Sequence, residues 1–230
     1  MKLFRRGFAL FFSLLLVLGL TACKALPTRA EQFTALVRGN LDEIYRGRAD
    51  KDYLKFTGST AEDVAASYEN SLSQEVAFFC GYFRISHPTE QMTAEITELY
   101  RQIYANASYT VGKAVRVDRS TYSVPVTIQP LNIMESVMED HDKALAGFFS
   151  KYGGVNKADL SDEELAAYEA DWAAAVIGMV QGKLAHITFR DTEIIDVRVV
   201  QAEDGTWQMN ADDLLALDAL ILYRPHEYLN

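Results

Sequence analysis

From residue 28 onward the apolar positions keep helical time, recurring every three or four residues. Phe33, Val37, Leu41 and Ile44 make one stripe, and Thr28 with Glu31 three positions on forms a capping box at its start. The spacing predicts a helix over 28–47, a short one over 50–57 stopped near Gly58, and then a long one. Two boxes compete to open the long helix, Ser59 with Glu62 or Thr60 with Asp63. Val64, Tyr68, Leu72, Val76, Phe79 and Phe83 form its stripe, widened near the end by Phe78, Cys80 and Tyr82. His87-Pro88 is the predicted break, because the residue before a proline is driven out of the helical region. A further helix over 89–106 carries Met92, Ile96, Leu99 and Ile103.

The period then drops to two. Tyr109, Val111, Val115 and Val117 form one alternating run; Tyr122, Val124, Val126 and Ile128 form the next. Asp118-Arg119-Ser120 lies between them, which predicts an antiparallel hairpin. Pro125 points away from the apolar set and lacks an N–H, so it predicts an edge strand or a bulge. Helical periodicity returns over 133–150 through Met134, Val137, Met138, Leu145 and Phe148, closed by Gly153-Gly154. Ser161 with Glu164 caps a helix to about 182 striped by Leu165, Tyr168, Trp172, Val176 and Met179. Ile187 and Phe189, then Ile195, Val197 and Val199, alternate again. Asp204-Gly205 is a hairpin turn signal, Trp207 and Met209 return from it, and Asn210 with Asp213 caps a final helix over 214–222. The tail after it reads as loose.

Four strands paired as hairpins and flanked by helices predict an α+β fold: N-terminal helices on a curved antiparallel sheet of about four strands, with a helical insert over 133–182. Ahead of the fold, Lys2, Arg5 and Arg6 precede fourteen apolar residues, Gly7 to Leu20, and then small residues. That order is a secretory signal, and the run is short of the roughly 20 residues a membrane span needs. It leads into Leu20-Thr21-Ala22-Cys23, which resembles a bacterial lipobox. The resemblance implies cleavage before Cys23 and a diacylglycerol on its thiol. The expected organisation is then a signal peptide at 1–22, a lipidated tether at 23–29 and a single α+β domain at 30–230. It places the protein on the extracytoplasmic face of the cell membrane, held by the lipid on Cys23, in a bacterium and most naturally a Gram-positive one. Five residues from Cys23 to Pro27 reach about 15–18 Å when extended, so the fold should sit close to the bilayer.

The element order, with long strands ending in the acidic turn and tryptophan of Glu203-Asp204-Gly205-Thr206-Trp207, is similar to the NTF2-like and cystatin-like cones and to small lipoproteins built on them. That resemblance implies a pocket between sheet and helices. Tyr82, Tyr122 and Trp207 are its candidate lining residues, on stripes that otherwise read as core.

Charge narrows the partners. The whole chain is −10 and the first 22 residues carry three cations and no acid, so the remaining 208 residues hold −13. Such a surface disfavours nucleic acid and anionic lipid headgroups. Cys80, left alone once Cys23 is lipidated, cannot form an internal disulfide and reads as a small buried hydrophobe.

Catalytic patterns are missing. The chain has no G-x-S-x-G, no serine with lysine three positions later, no phosphate-binding glycine loop and no H-E-x-x-H. His87, His141, His186 and His226 are scattered. Glu139-Asp140-His141-Asp142 clusters in sequence, but adjacent helical residues diverge and the run reads as solvated surface. No catalytic residue, metal or cofactor is assigned. The expected function is a non-catalytic, lipid-anchored module that binds a protein or a small apolar ligand. The alternatives are a pocket hydrolase or isomerase using an Asp, a His and a Tyr, and a solute-binding component of an importer.

Overall fold

The computed structural model describes residues 27–139 and 141–222. The signal segment, Cys23, Asp140 and the tail with His226 lie outside them. The described chain is mixed α+β. It divides into two compact units: one contains the described residues up to 69, 107–130 and 191–221, the other 70–106, 131–190 and Leu222.

The first unit holds the sheet. Helix α1 (Arg29–Arg46) starts where the sequence predicts: Thr28 Oγ1 accepts from Glu31 N, and the Glu31 carboxylate accepts from Thr28 N at 2.7 Å. A cap of this kind contributes about 1 kcal/mol. Gly47 ends α1 in the left-handed conformation. Helix α2 (Lys51–Thr57) follows, capped by Asp50 and stopped by Gly58. Thr60 with Asp63 wins the competition to open α3 (Ala61–Tyr82), with both reciprocal bonds made. Helix α3 passes from the first unit into the second at residues 69–70.

Strands β1 (Ser108–Val111), β2 (Val115–Arg116), β3 (Thr121–Gln129), β4 (Glu193–Gln201) and β5 (Trp207–Met209) form one antiparallel sheet in the order β1-β3-β4-β5, with β2 also on β3. Helix α9 (Ala211–Ile221) closes the unit, with Asn210 Oδ1 accepting from Asp213 N. Tyr122, Val124, Val126 and Ile128 on β3, and Val197 and Val199 on β4, are buried on the face covered by α1 and α9. The period of two was therefore a correct guide to which face is core.

Three differences have physical causes. Pro125 sits on central β3, not on an edge, and the bulge alternative is the one realised. Gly112 N donates to Pro125 O at 2.7 Å, but Pro125 has no N–H to return the bond. The β1 ladder stops there, and the register slips by one residue between Val111↔Val126 and Arg116↔Tyr122. A Cβ on Gly112 would lie 2.8 Å from Pro125 Cγ, so the glycine permits the close crossing. The second difference is at Ile187 and Phe189, which do not join the sheet: Phe189 makes an isolated bridge to Leu131. The third is a turn at Leu145 inside the predicted helix 133–150: α5 (Ile133–Glu139) and α6 (His141–Ala144) precede it and α7 (Ala146–Tyr152) follows.

The second unit is helical. It holds the later turns of α3, then α4 (Glu90–Ala105), α5, α6, α7 and α8 (Asp162–Leu184). Helix α8 packs against α4, α5, α6 and α7 and is the axis of the unit. Ser161 caps it with Glu164 as predicted.

Candidate functional site

Helix α3 ends at Tyr82, six residues before Pro88. Ile85 N donates to Cys80 O at 2.8 Å and Arg84 N to Gly81 O, the bond pattern of a Schellman end. Arg84 takes the left-handed position with φ 55°, where glycine is the usual occupant. Buried Ile85 folds back, and the 84–88 segment is held against α8. Trp172 Nε1 donates to Phe83 O at 2.6 Å, and His87 Nδ1 lies 3.0 Å from Glu169 Oε2. The carboxylate is buried, while the His87 side chain is 79% exposed. A carboxylate behind an imidazole fixes its tautomer, as in general-base dyads. Here the imidazole faces water rather than an enclosed substrate position.

The same unit contains an apolar depression lined by Phe78, Tyr100, Ile103, Leu131, Ile133 and Met134 among others. Its 290 Å³ includes open solvent, and the enclosed part has room for about one water-sized sphere. A drug-sized ligand needs several hundred cubic ångströms of true concavity. Helix α8 also carries an aromatic cluster in which Phe148 meets Tyr152, Tyr168 and Trp172 within about 5 Å.

The candidate lining residues separate. Tyr122 and Trp207 lie together in the first unit, where Phe33 fills the space between them, with ring centroids 4.9 Å from Tyr122 and 4.8 Å from Trp207. Arg29 Cζ sits 5.5 Å from the Trp207 ring. Tyr82 belongs to the second unit and packs on Phe78 and Phe83. Cys80 is buried, and loss of solvation pushes its thiol up from its ordinary value, which disfavours the reactive thiolate. In the acidic run, His141 Nδ1 lies 3.1 Å from exposed Asp142. No three metal-ligating side chains converge among the described residues.

Sequence reading missed a set of tyrosine–carboxylate pairs in the first unit. Tyr45 donates to Asp218, Tyr53 to Glu43 at 2.7 Å and Tyr109 to Asp42 at 2.7 Å. Burial, then the neighbouring carboxylate, drives Tyr53 and Tyr109 far above the ordinary phenol range. These hydroxyls are therefore fixed donors that tie α1 to α2, β1 and α9. No local spacing reveals them, because Tyr45 and Asp218 are joined across 173 residues of chain.

Among the described residues of its unit, the helices α1 and α9 pack on the core face of the sheet, and the other face carries exposed side chains. Val115 pairs with Ser123, and Ile194 with Thr127, so both stand on the face opposite the core, as does Val117 at the hairpin end. They are 61%, 66% and 63% exposed. The polar groups between them are tied down: Ser123 Oγ donates to Asp196, and Arg198 makes a bidentate pair with Asp213 at 2.7–2.8 Å.

No family model matches the chain, and no curated protein matches it significantly. Among solved structures it is similar to a Bacillus subtilis protein described as "a putative lipoprotein (ycdA)", at 13% identity and a TM-score of 0.52. The match covers 84% of this chain and 56% of that one, so the chain spans little more than half of its neighbour's length. At this identity the likeness concerns the fold alone.

Proposed function

We propose that the protein is a lipid-anchored, extracytoplasmic binding module that acts through its surface rather than through an enclosed ligand or a catalytic centre. The observation that carries this reading is the outer sheet face, where Val115, Val117 and Ile194 are each more than 60% exposed on one side of a rigid sheet. Exposed aliphatic side chains on one face mark contact surfaces, here two valines at the hairpin end and Ile194 about 20 Å further along the sheet. The small depression in the second unit favours a surface partner over a bound small molecule. The lipobox at Cys23 and the lipoprotein neighbour support anchoring, and no described helix is long and apolar enough to cross a membrane.

Native mass spectrometry of residues 24–230 tests the choice. The expected result is the bare protein mass. A reproducible adduct of a few hundred daltons would overturn the reading in favour of a carrier or a pocket enzyme. The partner is then sought with a photo-crosslinking residue at Ile194 in intact cells, where an adduct is expected; a residue in place of Glu163 on α8 serves as the control.

A further inference from the structure

The hairpin end of the sheet differs from the rest of this acidic molecule. Residues 115–120 are all exposed, and the stretch Lys113-Ala114-Val115-Arg116-Val117-Asp118-Arg119 holds three cations against one carboxylate. Its two valines project without cover, and Arg119 makes no ion pair among the described residues. The 208 residues from Cys23 onward carry −13; Glu31 stands near Lys113, and Glu203 and Asp204 share this end, so charge there is close to balance and the exposed aliphatics are the departure.

The position of this end relative to the anchor gives the departure meaning. Ala114 N donates to Thr34 Oγ1 at 2.8 Å, and Lys113 is close enough to Glu31 to help lower that carboxyl after the bonds from Thr28. Tyr122, the register partner of Arg116, packs on Phe33. The β2–β3 end therefore lies against the first two turns of α1, and Thr28 caps that helix. Cys23 is four residues before Pro27, so a lipid on it enters the bilayer within about 15–18 Å of this point even with the chain extended. Ile194, paired with Thr127, is six residues further along β3 from Thr121, about 20 Å away, and is left free for a protein partner.

We infer that the 113–119 hairpin end rests on the anionic bilayer surface, with Val115 and Val117 entering the headgroup layer and Lys113, Arg116 and Arg119 meeting lipid phosphates. This rests on the lipid-anchored reading above and adds an orientation to it. The turn at the same end carries Glu203 and Asp204; Asp204 is bound to Thr206 N and Oγ1, and Glu203 opposes the contact. The valines therefore supply the contact, and the hairpin cations offset the carboxylates beside them so that lipid phosphates can approach. Short cationic segments beside an anchor gain from the negative surface potential within one Debye length.

The test uses the full-length lipidated protein in vesicles of phosphatidylcholine and phosphatidylglycerol. An environment-sensitive fluorophore is placed on Ser120→Cys at the hairpin end, or on Gln129→Cys at the far end of the same strand, about 30 Å away. Mass spectrometry of the Cys23 peptide first establishes the diacylglyceryl group; without it the anchoring reading itself fails. With the lipid present, acyl-chain quenchers should dim the Ser120 label several times more than the Gln129 label. Adding V115D and V117D should remove the difference while the protein stays anchored. Equal quenching at both ends, or none at either, overturns the inference. So does a Ser120 signal that follows protein density instead of the lipid quencher, which would show a second copy on the hairpin.

Discussion

The two units bury comparable numbers of aromatic rings but gather them over different spans of the chain. In the first, Phe33, Tyr122 and Trp207 meet from a helix and two strands far apart in sequence, and the tyrosine hydroxyls end on carboxylates of other elements. In the second, one cluster is built by α7 on α8 and another by α3 on α4, and the tyrosine hydroxyls again reach carboxylates, Tyr152 to Asp171 and Tyr104 to Glu75, but over shorter stretches of chain than Tyr45 to Asp218 or Tyr109 to Asp42. The difference teaches where rigidity is concentrated. A curled sheet crossed by long-range polar ties holds one geometry and can present a fixed outer face. A helical unit around one axis relies on packing, which tolerates adjustment.

Truncation should expose this contrast most strongly. Trp207→Ala removes a side chain that is almost wholly buried and should cost about 3–5 kcal/mol. Trp172→Ala, half-buried in the helical unit, should cost less. Denaturant unfolding with hydrogen exchange in each unit reads both; equal losses would break the comparison. Gly39→Ala comes next. A Cβ there would lie 2.0 Å from Tyr53 Cδ2, and that ring is buried and held at its hydroxyl by Glu43. Overpacking should cost about 1–3 kcal/mol. Gly178 and Gly182 on α8 meet nothing within 4 Å, so alanine there should instead stabilise by about 0.5–1 kcal/mol.

A pH prediction sharpens the same point. Tyr53 and Tyr109 have raised pKa values in the fold, so the folded protein keeps protons that the unfolded chain gives up. Their contribution is complete below the unfolded phenol value of about 10 and falls as pH rises above it. Alkaline titration should therefore unfold the sheet unit first, and Y53F with Y109F should move that transition to higher pH. Local probes in the helical unit should not follow. Arg84→Gly is of the same small size as the α8 glycine changes: it relieves a left-handed non-glycine residue and should stabilise by about 1 kcal/mol in thermal unfolding. If His87 and Glu169 hold a functional loop in that geometry, the gain will come with altered partner crosslinking.

Much of the fold was legible residue by residue. Thr28, Asp50, Thr60 and Ser161 open helices as their spacing requires, because a cap is settled by atoms within one turn. Tyr122 to Ile128 and Val197 with Val199 declare their buried face, because a strand's period is local. The end of α3 was misplaced at His87-Pro88, because the usual glycine signal is carried by Arg84, whose left-handed conformation depends on Ile85 being buried. Of the candidate lining residues, Tyr122 and Trp207 come together and Tyr82 stands in the other unit, since burial stripes say that a side chain turns inward but not toward which neighbours.

The order of residues was enough for the α+β class, the caps, the strand faces, the acidic charge balance and the resemblance of Leu20-Thr21-Ala22-Cys23 to a lipobox. Each of these is a property of neighbouring residues or of a sum over the chain. Tertiary structure alone decided that Pro125 lies in a central strand beside a bulge, that Tyr45 finds Asp218, that Glu169 stands behind His87, and that 113–119 lies against the first turns of α1. Those are pairings across tens to hundreds of residues. They arise only when apolar faces have been matched and the buried polar groups must find partners among whatever the packing brings near.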